Sequence, residues 1–231
     1  MPTFRSPSAP DRFHDRIDAG ARLVSQLHPH LAHVAPEDIV IVGLARGGVM
    51  VAAEIARKME VRLEAMVVRK LGAPDQPELA LGAITASGDV FFNQHLVRDL
   101  EISDADLEPI IKRAEAAARR LADDLGAPIE IPDVAHKTVV LVDDGLATGA
   151  TMHVAIQSVQ RLHAGKVIVA LPVAPASALA RFQELADAIV TVLAPSHLRA
   201  VGEWYEDFSD VPSSQVRQVL EQNPYRWKDT N

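Results

Sequence analysis

The sequence predicts an α/β protein in which a parallel central sheet is flanked by helices. Short apolar runs rich in Val and Ile alternate with segments whose apolar residues recur at helical spacing. Residues 38–44, for example, form a nearly all-apolar run of β-formers, which is typical of a parallel strand buried on both faces. Alternating strands and helices imply right-handed crossovers and place ligands at the carboxyl ends of the strands.

The first half of the chain contains two of these strands and an inserted hairpin and helical segment. Phe13, Ile17, Val24 and Leu27 recur at helical spacing, and Pro29 interrupts that helix. The elements that follow are strand 38–44, helix 47–59, strand 61–68, an irregular loop at 71–77, a hairpin at 82–93 turning at 87–89, and helical residues 96–125. We expect Pro109 to start a second helix within that last stretch.

The second half repeats the strand and helix pattern. Strands are predicted at 136–142, 166–171 and 187–193, and helices at 148–163 and 177–185. The chain then divides into a core over residues 1–194, with an inserted lid and helical segment at about 72–126, and a C-terminal hood or tail over 195–231. The tail holds Trp204, Tyr205 and Phe208 within five positions.

Composition limits the classes of ligand and partner. A net charge of -8 without a basic block argues against nucleic acid as the main partner. No apolar run approaches the roughly 20 residues of a membrane-spanning helix, and the N-terminus lacks a signal-peptide stretch, so we expect a cytoplasmic protein without membrane attachment. The absence of cysteine leaves oxygen or imidazole to hold any metal.

The run from Val139 to Thr151 reads as a strand, a tight loop and a helix N-terminus, in that order. A helix N-terminus binds phosphate through free N–H groups and its positive dipole end, and the hydroxyls of Thr148 and Thr151 can add donors. Gly149 and Ala150 keep the loop small enough for the phosphate to reach the backbone. The sequence therefore predicts a phosphate site here.

Asp143 and Asp144 end the strand before this loop, where the hydroxyls of a phosphate-bearing ribose would lie. Carboxylates accept hydrogen bonds from a diol, and they also bind a hard cation such as Mg²⁺, directly or through water. A solvated Asp-Asp turn and a Thr that only caps the helix are the structural alternatives. A Walker loop is excluded because no Lys follows the glycine.

Residues 139–151 resemble the signature that binds phosphoribosyl diphosphate (PRPP) in type I phosphoribosyltransferases. The resemblance implies that family's α/β fold with a small hood. It also implies a pentosyltransferase that binds PRPP and Mg²⁺, transfers the 5-phosphoribosyl group to a small-molecule acceptor and releases diphosphate. The implied 5-phosphate loop comprises Ala147, Thr148, Gly149, Ala150 and Thr151, while Asp143 and Asp144 meet the ribose hydroxyls.

A second motif, the turn Ala45-Arg46-Gly47-Gly48, resembles the family's diphosphate loop, where a non-proline cis peptide is usual. The resemblance places that bond between Ala45 and Arg46. It also implies that Arg46, together with Asp143 and Asp144, has a catalytic role. It also places Arg69 and Lys70 against the diphosphate, although charges at a strand end are often simply solvated.

The runs over residues 68–74 and 201–208 resemble those of a bacterial group of predicted phosphoribosyltransferases, to which the whole chain is most similar. The name of that group specifies no acceptor. Trp204, Tyr205 and Phe208 are candidates to stack on a planar acceptor, with a plain hydrophobic anchor as the alternative. Glu203, Glu206 and Asp207 beside them would disfavour an anionic acceptor. A PRPP sensor without transfer and an enzyme with a non-nucleobase acceptor are the other hypotheses, and a homodimer is left open.

Overall fold

The computed structural model describes residues 12–74, 76–146 and 149–227. Helices and strands alternate along most of this length. In chain order they are α1 (Arg16–Leu31), β1 (Ile39–Leu44), α2 (Gly47–Met59), β2 (Arg62–Met66), β3 (Val68–Gly72), β4 (Ala80–Thr85), β5 (Val90–Phe92), α3 (Gln94–Asp99), α4 (Asp104–Leu125), β6 (Thr138–Val142), α5 (Ala150–Arg161), β7 (Lys166–Val173), α6 (Ala176–Phe182), β8 (Ala188–Leu193) and α7 (Ser213–Gln222).

The central sheet has five parallel strands in the order β2-β1-β6-β7-β8. Strands β1 and β6 are neighbours, and Gly43 lies opposite Val142 near their carboxyl ends. All residues of both strands are buried, as expected for strands covered by helices on both faces. The predicted fold class, a parallel sheet flanked by helices, is therefore confirmed, and the loops after β1 and β6 meet at one edge.

Alternate residues of the strands face the two helical layers. Val140 packs in the same apolar cluster as residues of α1 and α2, whereas Val139 packs with residues of α5 and α6. This division follows from the two-residue period of a strand, which points successive side chains to opposite faces. The helices that start at the carboxyl edge are thus packed firmly against the sheet.

A second sheet, antiparallel and with the order β3-β4-β5, forms a hood beside the central sheet. The predicted hairpin is confirmed, with Gly88 at positive φ in the turn between β4 and β5. The predicted single strand over 61–68 is wrong, because the chain leaves the central sheet after β2 and enters the hood at β3. Val67 marks the change of sheet, and its carbonyl accepts a hydrogen bond from the N–H of Ala86, which follows β4.

Other boundaries also differ from those predicted. The irregular loop starts later than expected, because Leu71 and Gly72 belong to β3. Pro109 lies inside α4 and starts no helix, since Ser103 and Asp106 form a capping box that begins α4 at Asp104. Helix α1 begins only at Arg16, capped by Asp15, and it runs through Pro29 to Leu31.

The tail packs onto the rest of the chain. Tyr205 forms an isolated parallel β-bridge with Phe13, which is fully buried although it lies outside α1. Val216 and Leu220 of α7 are buried in the same cluster as α2. The division of the chain at residues 194 and 195 stays a prediction. Within the described ranges, none of the helices combines the length and apolar character needed to cross a bilayer.

Candidate active site

Two loops meet at the carboxyl edge of the central sheet. The turn from Ala45 to Gly48 follows β1, and the loop that starts at Asp143 follows β6. The peptide bond between Ala45 and Arg46 is cis, as predicted. Since β1 and β6 are adjacent and parallel, the two motifs singled out from the sequence lie side by side.

The glycines of the first turn are required by contact with the second loop. A Cβ atom on Gly47 would lie 1.9 Å from Asp144 Oδ2 and 2.7 Å from its Cγ. A Cβ atom on Gly48 would lie 2.6 Å from the carbonyl oxygen of Val142 and 2.8 Å from Asp143 Cα. The turn and the two carboxylates therefore form one closely packed unit.

Asp143 and Asp144 are half-buried, and burial raises the pKa of both carboxyl groups. Burial raises the pKa of Asp143 well above its ordinary value, and the neighbouring charge of Asp144 adds to the rise. Burial also raises the pKa of Asp144, although Arg16 opposes that rise through its charge and a hydrogen bond. The backbone N–H of Asp144 donates to Asp143 Oδ1 at 2.9 Å, which orients the first carboxylate.

Arg16 is a site residue that sequence reasoning missed. Its Nε donates to Asp144 Oδ2 at 2.9 Å, and its Nη1 donates to the carbonyl of Ser209 at 2.9 Å. The guanidinium lies 4.0 Å from the centroid of the Phe208 ring. An Arg in the first turn of an amphipathic helix resembles any surface cation, so no sequence signal distinguished it.

Two of the three tail aromatics contact this arginine and carboxylate pair. Tyr205 is buried, and its hydroxyl donates to the backbone carbonyl of Asp144 at 2.6 Å. Its ring lies 5.2 Å from that of Phe13 and 4.9 Å from that of Phe208. Trp204 and Phe208 are half-buried in the same cluster. The tail thus braces the loop after β6, and the predicted stacking of an acceptor on these rings stays a prediction.

The predicted phosphate loop is described in part. Ala147 and Thr148 lie outside the described residues. Gly149 has φ of 84° and precedes α5 without a side-chain cap, so the first N–H groups of α5 have no capping partner from that residue. Ala150 is buried and Thr151 is half-buried in the first turn of α5. Gly149, Ala150 and Thr151 therefore form a helix start with small residues and backbone N–H groups, as was predicted for a phosphate site.

The predicted diphosphate-binding cations lie on two elements, with Arg46 in the turn after β1 and Arg69 and Lys70 on β3 of the hood. The side chain of Arg46 is exposed and forms no hydrogen bond or ion pair with a described residue. Lys70 is exposed on β3, and its charge lowers the pKa of Asp143, so the ammonium lies near the carboxylates. Arg69, the preceding residue, lines a cleft against Ala117 and Arg120 of α4. The hood therefore directs at least one cation toward the site.

The carboxylate pair alone makes an incomplete metal site. No group of three or more His, Cys, Asp or Glu side chains that could hold a metal occurs within the described ranges. Mg²⁺ nevertheless commonly takes one or two carboxylates and fills its remaining positions with water and substrate phosphate oxygens. Asp143 and Asp144 fit that requirement, with one carboxylate already held by Arg16.

The far end of α5 is fastened to the hood, a feature that sequence reasoning also missed. Asp89, in the turn between β4 and β5, accepts hydrogen bonds from Arg161 Nε at 2.7 Å and from Ser158 Oγ at 2.8 Å. Phe91 of β5 stacks on His153 of α5 with ring centroids 3.8 Å apart. The hood and the phosphate-loop helix are thereby joined by both polar and aromatic contacts.

The fold and the two loops define an α/β domain with a parallel sheet, a class in which ligands generally bind at the carboxyl edge of the sheet. Residues 11–198 match the model of the phosphoribosyl transferase domain. The chain belongs to this family. Two curated relatives from Mycobacterium tuberculosis strains CDC 1551 and H37Rv, each named "Putative phosphoribosyl transferase", are 36% identical to it over 209 residues. The match covers 90% of this chain and 46% of theirs, so the chain spans about half of their length.

A solved structure supports the same assignment of fold. The crystal structure of TT1426 from Thermus thermophilus superposes with a TM-score of 0.74 at 36% identity. The superposition covers 90% of this chain and 97% of that one. The family resemblance and the type I fold inferred from the sequence are therefore confirmed, and membership of a transferase family is established.

Proposed function

We propose that the chain binds PRPP together with Mg²⁺ and transfers the 5-phosphoribosyl group to an acceptor, with release of diphosphate. The observation that carries this proposal is the contact between the two loops: Gly47 and Gly48 pack directly on Asp144 and Asp143. A single ligand that spans a phosphate, a ribose and a diphosphate would touch both loops at once. Family membership supports the class of reaction.

Each part of the donor has a suitable partner. The 5-phosphate would take the N–H groups at the start of α5 and the hydroxyl of Thr151, with Ala147 and Thr148 completing the loop. The ribose diol would donate to the carboxylates of Asp143 and Asp144. The diphosphate would meet Arg46 and Lys70, which are both exposed. Arg69 is the remaining predicted contact.

The catalysis we propose consists of positioning and electrostatic stabilisation. The residues of the α5 N-terminus hold the sugar phosphate in place, while Arg46 and Lys70 stabilise negative charge that develops on the departing diphosphate. When bound, Mg²⁺ would supply further charge neutralisation to that leaving group. Ionised Asp143 and Asp144 would orient the ribose for attack at its anomeric carbon.

Calorimetric titration with PRPP and MgCl₂ tests donor binding. We expect Asp144→Asn and Thr151→Val each to weaken PRPP binding by about tenfold or more, because each removes a polar contact with a charged ligand. Exposed Asp99, on α3, provides the control Asp99→Asn, which should bind like the parent protein. If the parent shows no PRPP binding, or the site variants bind like the control, the proposal is wrong.

Incubation with PRPP, MgCl₂ and a panel of bases and other metabolites tests transfer. We expect diphosphate release that depends on one class of acceptor, together with a new phosphoribosyl product detected by mass spectrometry. PRPP binding without turnover for any acceptor would contradict the transferase proposal and favour a sensor.

A further inference from the structure

A cavity of about 660 Å³ lies between β3, the segment that follows it and α4. We name it the basic cavity, since its described lining includes the cations Arg69, Lys70 and Arg113. Asp106 is the carboxylate in that lining, and its Oδ2 is already engaged by the N–H and hydroxyl of Ser103 at 3.1 and 2.5 Å. The cavity therefore presents an excess of positive charge in a chain whose net charge is -8.

The unpaired state of Arg113 follows from the sequence of α4. Lys112 pairs with Glu108 at 2.5 Å, and Arg119 pairs with Glu115 at 3.0 Å, in each case four residues earlier in the helix. The corresponding position for Arg113 is Pro109, which offers no carboxylate. None of the cations of the basic cavity forms a hydrogen bond or ion pair with a described residue. Three like charges around one cavity repel each other, and an anion would relieve that repulsion.

The basic cavity adjoins the proposed donor site. The N–H of Ala45, in the turn after β1, donates to the carbonyl of Met66 at 2.9 Å, and β3 with Arg69 and Lys70 follows within four residues. Arg69 also lines the cleft against Arg120 of α4. A ligand in the basic cavity would therefore extend from the diphosphate end of the donor toward α4.

We propose that the basic cavity binds an anionic group, a carboxylate or a phosphate, carried by the acceptor of the phosphoribosyl group. This inference rests on the proposed function, because only a phosphoribosyl transferase would bind an acceptor beside PRPP. The guanidinium of Arg113 offers a planar fork of donors that matches either anion. Pro74, Pro77 and Ile110 line the same cavity and provide apolar surface for the carbon skeleton of the ligand.

The acidic residues of the tail do not oppose an anionic acceptor in this cavity. Glu206 accepts a hydrogen bond from His14 Nδ1 at 2.8 Å, and Asp207 accepts hydrogen bonds from the N–H and hydroxyl of Ser209. Neither carboxylate lines the basic cavity. The expectation that these residues disfavour an anion therefore concerns the tail surface alone.

Calorimetric titration with inorganic phosphate, and separately with acetate, tests the anion site in protein already saturated with PRPP and Mg²⁺. We expect at least one of the two anions to bind the parent protein, and Arg113→Gln to weaken that binding about tenfold. Lys112→Gln is the matched control, because it removes the same charge from the adjacent residue of α4. Failure of both anions to bind, or equal binding by the two variants, would overturn the inference. PRPP binding, measured in the same samples, reports separately on the proposed function.

Matched acceptor pairs test the assignment to the acceptor. Nicotinate and nicotinamide, and orotate and uracil, differ in the presence of a carboxylate. We expect transfer to an acid but not to its neutral partner, and a KM for the acid about tenfold higher in Arg113→Gln with unchanged affinity for PRPP. Equal use of neutral partners, unaffected by Arg113→Gln, would overturn the assignment. If no member of either pair reacts, the phosphate and acetate titrations decide the inference.

Discussion

Arg16 donates a hydrogen bond of 2.9 Å to Asp144, although 128 residues separate the two in the chain. Both side chains are largely shielded, with 13% and 17% of their surfaces exposed. This pair connects α1 to the loop after β6, and Tyr205 holds the backbone of the same aspartate from the tail. A carboxylate predicted to bind ribose is thus positioned by elements from both ends of the described chain.

Arg16→Gln should weaken PRPP binding and reduce stability. Loss of the pair leaves Asp144 without its cation, so we expect the free energy of unfolding to fall by about 1–3 kcal/mol. Urea unfolding and calorimetry measure the two effects. Lys112→Gln, which breaks an exposed pair with Glu108, is the control and should change stability by less than about 1 kcal/mol.

The pH dependence of PRPP binding should also change in Arg16→Gln. Arg16 lowers the pKa of Asp144 against the effect of burial, so its removal raises that pKa further. Since the ionised carboxylate is the form expected to accept from the ribose diol, PRPP binding should be lost at a higher pH as the solution is acidified. Identical pH profiles for parent and variant would show that this carboxylate does not titrate in donor binding.

Gly47→Ala and Gly48→Ala should have different consequences. The added methyl group of Gly47→Ala meets the end of the Asp144 side chain, which can move only by loosening its bond to Arg16, so we expect lost PRPP affinity with a smaller loss of stability than in Gly48→Ala. The methyl group of Gly48→Ala meets the backbone at Val142 and Asp143, so we expect destabilisation by about 1–3 kcal/mol. Thermal unfolding and PRPP titration of both variants test the contrast, which equal stability of the two would refute.

Asp89→Asn should loosen the hood from α5. Asp89 accepts hydrogen bonds from Arg161, Ser158 and Ser87, and loss of its charge should cost about 1–3 kcal/mol of stability. Amide hydrogen exchange should increase in β4, β5 and the last turn of α5. Asp99→Asn is the control. Unchanged protection in Asp89→Asn would show that the aromatic contact of Phe91 with His153 suffices to fasten the hood.

His153 should make the protein less stable in mild acid. Burial lowers its pKa below the ordinary value of 6.5, so the unfolded chain binds a proton more readily than the folded one. The contribution to stability is complete above about pH 6.5 and is lost as the pH falls toward the lowered folded value. His153→Phe keeps a ring against Phe91 and should flatten the fall in stability between pH 7 and 5. Replacement of exposed His33 by Gln should leave that slope unchanged.

Local sequence patterns were enough to predict the central sheet, the two loops and the helices that follow those loops. Apolar β-forming runs identify β1 and β6 because both faces of these strands are buried, and Gly149 and Gly47 mark the starts of α5 and α2. The division of residues 61–68 between two sheets could not be predicted. The pattern of apolar residues indicates that a segment is a strand, but it does not indicate which other strands that segment pairs with. The prediction that Pro109 starts a helix was wrong because the capping box at Ser103 outweighs the preference of proline for a helix start.

The sequence by itself determined the family, the fold class and the carboxylates and glycines expected to hold a phosphoribosyl donor, because these are local motifs with a local physical use. Only the tertiary structure decided that Gly47 and Gly48 pack on Asp144 and Asp143, that Arg16 and Tyr205 hold Asp144, and that Arg113 shares a cavity with Lys70. Such contacts join residues far apart in the chain, and they depend on which strands and helices become neighbours when the chain folds.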